Sequence, residues 1–118
     1  MRGRMMSEPV DMSVIESLRD LGDDELVLEL VEIFMEDTPP RLEELAKAYI
    51  DGDAERIESV AHSLKSSCAN LGAIRLSEIC RDLEAKGREG ELAQAEELIV
   101  LSQEEYQRVS ESLQNCLE

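Results

Sequence analysis

Apolar residues recur along this chain at three- and four-residue steps, and only a helix gathers such spacing onto one face. The run Ile57, Val60, Ala61, Leu64, Cys68, Leu71 is the clearest case. A longer one follows: Leu92, Ala95, Leu98, Ile99, Tyr106, Val109, Leu113, Leu117. The one run suggestive of a strand, Leu98-Ile99-Val100-Leu101, sits inside this second helical pattern. Aromatics make up only 3% of the chain and there is no Trp, so the core has to be aliphatic. At 118 residues, one domain with a modest core is expected.

Glycine, proline and aspartate divide the pattern. Residues 1–10 read as a flexible leader, followed by a domain over 11–118. A short helix is expected over Asp11–Leu21, closed by Gly22, with Asp23 and Asp24 placed to cap the next one. That second helix covers 24–37, with Leu26, Leu30, Ile33 and Phe34 as its buried stripe. Leu28, Val31 and Met35 form another apolar row, to be covered by the first helix or left open as a docking patch. Thr38-Pro39-Pro40 should interrupt the path, because proline lacks a backbone donor and restricts its predecessor. A third stretch (Leu42, Leu45, Ala46, Tyr49) then ends at the Asp51-Gly52-Asp53 turn. Helices over 53–71, 73–86 and 92–117 complete the chain, with Gly72 as a C-terminal cap and Gly87 and Gly90 bracketing the last turn. Short loops between long helices imply an all-α, antiparallel up-down bundle.

The net charge is −16, which argues against nucleic acid and anionic membrane as partners. The charge is uneven. Residues 1–52 hold 14 acids and 5 bases, and residues 91–118 hold 7 acids and 1 base. Residues 53–90, with 7 acids and 6 bases, are nearly neutral. The three cysteines, Cys68, Cys80 and Cys116, show no metal-binding or disulfide spacing. No signal peptide and no membrane-spanning stretch are visible, so a cytoplasmic protein is expected.

The only histidine lies in that near-neutral segment. On a helical wheel His62 falls about 150° from the centre of the core stripe, so it points to water. Glu58, Lys65, Ser66 and Ala69 surround it at helical-neighbour spacings. An accessible imidazole, neutral near pH 7, is a nucleophile. Lys65, one turn away, is placed to stabilise an incoming anionic group. Ser66 and Ala69 are small enough to let a second protein approach. An exposed His–Lys pair on an ordinary solvated face would look the same up to this point. A metal shared by Glu58 and His62 is disfavoured, because a metal-binding bundle needs several inward ligands.

The run Ala61-His62-Ser63-Leu64-Lys65-Ser66-Ser67-Cys68-Ala69-Asn70-Leu71-Gly72-Ala73 resembles the signature H-x-L-K-G-S-S-x-x-L/N-G of histidine-containing phosphotransfer (HPt) domains. The preceding segment, Glu29 through Pro39, is similar to the helix that comes before it in that family, and the likeness extends over roughly 11–115. One position departs from the pattern: Ser66 stands where the family often has glycine.

The resemblance implies a bundle with a four-helix core, here with an additional short N-terminal helix, in which His62 carries a phosphoryl group and Lys65 supports it. Ser66, Ser67, Ala69 and Glu58 would shape the docking surface, and Gly72 would end the helix. It implies relay between receiver-domain aspartates, with response-regulator receivers and a hybrid histidine kinase as partners. No cofactor or metal would belong to the chain, Mg²⁺ being supplied by the receiver. It would be a monomeric carrier with no kinase activity of its own. An adaptor that docks a partner through Leu28, Val31 and Met35 is the alternative. The phosphoacceptor region of a histidine kinase is another, but no ATP-binding motif accompanies it.

Overall fold

A computed structural model describes residues 8–117. Among them no strand forms; the chain folds as four helices, α1 (Met12–Ile50), α2 (Ala54–Asn70), α3 (Ile74–Glu89) and α4 (Ala95–Leu117), with a 3₁₀ turn at Leu92–Gln94. Each helix packs against its two ring neighbours, α1 on α2 and α4, α3 on α2 and α4. This is the up-down four-helix bundle expected.

Local chemistry sets the ends. Asp11 caps α1 by accepting from the Ser13 N–H, and Asp53 caps α2 by accepting from the Arg56 N–H. Gly90, at φ +74°, ends α3 in the left-handed conformation. Gly22 and Asp23 leave helical geometry inside α1, so residues 12–21 form a short arm. Asp23 takes a φ of +60°, and its carboxylate accepts from the Glu25 N–H to restart the helix.

Four expectations need correction. The prolines do not interrupt α1, which runs through Pro39 and Pro40 to Ile50. Their missing donors orphan the carbonyls of Met35 and Glu36, on the half-buried and exposed side of the helix. Burial of Phe34, Thr38, Leu42 and Leu45 on the opposite face offsets that loss.

The buried stripe of this helix is Val27, Val31, Phe34, Thr38, Leu42, Leu45 and Ala48, one position out of register with the expected row. Ile33 is therefore exposed. The row of Leu28, Val31 and Met35 faces α4 rather than the short arm: Tyr106 Oη donates to Met35 Sδ at 3.6 Å, and Leu117 lies in the same groove.

Gly87 is a buried residue within α3, not part of a turn. A Cβ there would sit 2.6 Å from the Glu58 nitrogen and 2.8 Å from the Ala54 carbonyl, so glycine is what lets α2 and α3 approach.

Finally, Val10, assigned to the leader, is 1% exposed and part of the core; residues 1–7 of that leader lie outside the described residues. The α2 stripe is as expected, with Ile57, Val60, Ala61, Leu64, Cys68 and Leu71 all buried. Cys68 and Cys80 act as small core residues. Contact with Cys80, reinforced by burial, pushes the Cys68 thiol far up, which leaves it unreactive.

Candidate functional site

α2 presents His62 outward, as its helical phase requires: the imidazole is 64% exposed. Across the tight α2–α3 seam stands Glu84, whose side chain is only 9% exposed. His62 Nδ1 lies 2.9 Å from Glu84 Oε2, and Lys65 Nζ donates to Glu84 Oε1 at 2.7 Å. Arg88 binds the same carboxylate through Nη2 at 3.2 Å, and reaches Glu58 through Nε at 3.2 Å. Two cations and two carboxylates thus surround one imidazole, so the zone around His62 is close to neutral.

The Lys65 ammonium holds the Glu84 carboxyl below the usual carboxylate range, assisted by His62 and opposed by burial. Glu84 is therefore ionised near neutral pH. An ionised carboxylate can only accept, so in the neutral ring the hydrogen sits on Nδ1 and the lone pair on Nε2. The geometry leaves one ring nitrogen tied and the other presented to solvent.

The remaining expected residues fall as follows. Ser66, Ser67 and Ala69 are exposed on the His62 helix, and Glu58 is half-buried against Arg88. Gly72 is apart from this group. It is buried at φ +79°, with its carbonyl accepting from the Asp11 N–H at 2.7 Å, so it ends α2 and anchors the start of α1. Among the described residues no group of three His, Cys, Asp or Glu side chains is arranged to hold a metal ion.

Two members of the network went unread in the sequence, Glu84 and Arg88. Their signal was present. Leu76, Ile79, Cys80 and Leu83 form a core stripe, and Glu84 and Gly87 continue it. A carboxylate on an apolar stripe has to find a partner. A third contact, Arg41 Nη1 donating to Ser63 Oγ at 2.9 Å, brings α1 beside the same face.

An exposed histidine, held at one ring nitrogen and backed by cations on a helical bundle, is consistent with a phosphotransfer protein. Comparison with known proteins agrees. The Hpt domain profile matches residues 29–112, and the chain belongs to the Hpt domain family. Its role is accordingly phosphotransfer in two-component signalling.

The crystal structure of histidine-containing phosphotransfer protein B (HptB) from Pseudomonas aeruginosa PAO1 superposes with a TM-score of 0.88. Sequence identity is 32%, over 94% of this chain and 96% of that one. The sensor protein TorS of Escherichia coli K12 is 34% identical over 77 residues. That match takes in 65% of this chain and only 8% of TorS.

Proposed function

We propose that this chain relays a phosphoryl group between receiver-domain aspartates through His62 Nε2. The observation that carries the reading is the Glu84 contact at Nδ1, which leaves Nε2 as the available nucleophile.

In the step, a receiver bearing an aspartyl phosphate docks on the His62 face. The Nε2 lone pair attacks phosphorus in line as the P–O bond to the aspartate breaks, and the electron pair returns to that carboxylate. The ring becomes a phosphoimidazolium with its Nδ1–H still on Glu84, whose negative charge stabilises the new cation. Transfer to a second receiver is the reverse.

Lys65 keeps Glu84 ionised, Arg88 helps to orient it, and both add positive potential where the phosphoryl oxygens arrive. Ser66 and Ala69 leave room for the receiver, and the Ser66 hydroxyl is available as a donor to the phosphoryl group. The receiver supplies Mg²⁺ and the acid–base groups, so the chain is a carrier with no kinase activity of its own. We assign it response-regulator receivers as partners, including the receiver of a hybrid histidine kinase, and a monomeric, cytoplasmic state. No described helix is long and apolar enough to cross a membrane.

The test is transfer from a panel of phosphorylated receivers to the chain and to its His62→Gln variant. Acid-labile, alkali-stable label on the parent alone is the expected result. Label retained by the variant would remove His62 from the role.

A further inference from the structure

Neither helix of the α1–α4 seam carries His62 or Glu84, and the seam lies across the bundle from the α2–α3 one. Two adjoining grooves of about 430 and 370 Å³ run along it and share Leu28 and Leu117. Both leucines are 41% exposed, and Val31 and half-buried Met35 extend the apolar floor. Asp24, Glu32 and Glu36 line the same trench. From Asp24 to Glu36 the trench follows α1 for about 18 Å, the length of roughly three helical turns.

The charge here is one-sided. Residues 20–40 contain eight acids and no base. Arg19, the cation lining the trench, is already paired with Asp24 at 2.9 Å and directed at the Cys116 carbonyl at 3.4 Å.

We propose that the α1–α4 trench is a second docking surface, and that its occupant is a short basic amphipathic helix of a partner protein. Two parallel walls with an apolar floor suit the apolar stripe of a helix. A flexible methionine lets the floor adapt to it. Lysines or arginines flanking that stripe would meet Glu32 and Glu36, so charge complementarity fixes the sign of the partner. A second copy of this chain fits poorly, because each copy would bring the same acidic rim to a self-complementary contact. The site stands independently of the phosphotransfer reading and leaves the His62 face free, so both partners can be held together.

The probe is a fluorescent 14-residue peptide with leucines at i, i+3, i+4 and i+7 spacing and lysines elsewhere. A scrambled peptide of identical composition is the control. The expected result is binding of the ordered peptide about tenfold tighter than the scrambled one. Leu28→Ser and Glu36→Lys, both at exposed positions of the seam, should each weaken the ordered peptide about tenfold. Phosphoryl acceptance by His62 should be unchanged in both, and amide shifts should move along α1 and α4. Equal binding of the two peptides, indifference to both substitutions, or shifts centred on His62 would overturn the proposal. So would a concentration-dependent dimer dispersed by Leu28→Ser, which would give the trench to a second copy.

Discussion

The two opposite seams of this bundle are built on contrary plans. Between α2 and α3, Gly87 brings the backbones together, and Lys65 and Arg88 converge on a nearly buried carboxylate. Between α1 and α4, exposed leucines and an excess of acids line a trench. The contrast accounts for how a chain of charge −16 would receive a phosphoryl group in the proposed transfer. Net charge governs solubility and long-range steering, but the transfer step responds to the few charges within hydrogen-bond reach of the imidazole. Balancing the charges at the His62 seam and leaving the acidic excess to the other separates these two demands.

The largest expected effect comes from forcing the tight seam apart. Gly87→Val puts a Cβ 2.6 Å from the Glu58 nitrogen and 2.8 Å from the Ala54 carbonyl oxygen. Overpacking of this kind costs about 1–3 kcal/mol or more. Denaturant unfolding should report the loss, and phosphoryl acceptance should fall with it as Glu84 is displaced from His62. An equally stable, fully active variant would show that close approach is not what organises the site.

Next is docking. Ala69→Trp adds a large ring to an exposed position one face-repeat from His62, and should abolish transfer from a receiver while leaving the circular dichroism spectrum and the melting temperature intact. Undiminished receiver binding would mean that the docking face lies elsewhere.

Glu84→Gln sharpens the electrostatic side of the comparison. It keeps the shape and an acceptor near Nδ1, but removes the charge that stabilises the phosphoimidazolium. Charge-assisted hydrogen bonds are worth about 1.5–3 kcal/mol, so transfer should slow by roughly ten- to a hundredfold. The same substitution has a pH signature. Glu84 titrates lower in the folded state than its ordinary value, so its ion pairs stabilise the fold above about pH 4.3 and are lost as pH falls through the lowered value. Thermal melts should therefore show the parent losing stability in acid more steeply than Glu84→Gln. Parallel curves would detach Glu84 from Lys65 and His62. Lys65→Ala should act in the same direction but more weakly, since the ammonium is partly exposed and Arg88 remains.

The smallest effect belongs to the open seam. Leu28→Ala, at a 41% exposed position, should cost at most about 1 kcal/mol and leave transfer unchanged. A loss comparable to that of a core leucine would mean that the trench is closed in solution.

What the sequence disclosed and what it hid follow the same physical divide. The α2 stripe and the outward phase of His62 depend only on helical periodicity, which a single segment carries in full. Glycine and aspartate punctuation likewise placed most helix ends. The prolines misled because a local cost of about 3 kcal/mol was set against a burial term visible only once α1 had neighbours. The stripe of α1 was misread by one position because Leu26, Leu30 and Ile33 are as apolar as Val27 and Val31. Which row turns inward is decided by the facing helices. Gly87 looked like a turn residue for a similar reason: its function is a contact with α2. Glu84 was missed because it lies 22 residues from His62 in the chain, and nothing in the motif around the histidine points to it. Its unusual place on the apolar stripe of α3 was the one available sign.

The central claim is that Glu84 holds Nδ1 so that Nε2 of His62 takes the phosphoryl group. Phosphorus-31 and long-range proton–nitrogen-15 NMR of the phosphorylated chain would test it most directly. A phosphoramidate at Nε2, with a slowly exchanging Nδ1 proton that is lost in Glu84→Gln, is the expected result. A phosphoryl group on Nδ1, or on any residue other than His62, would contradict it.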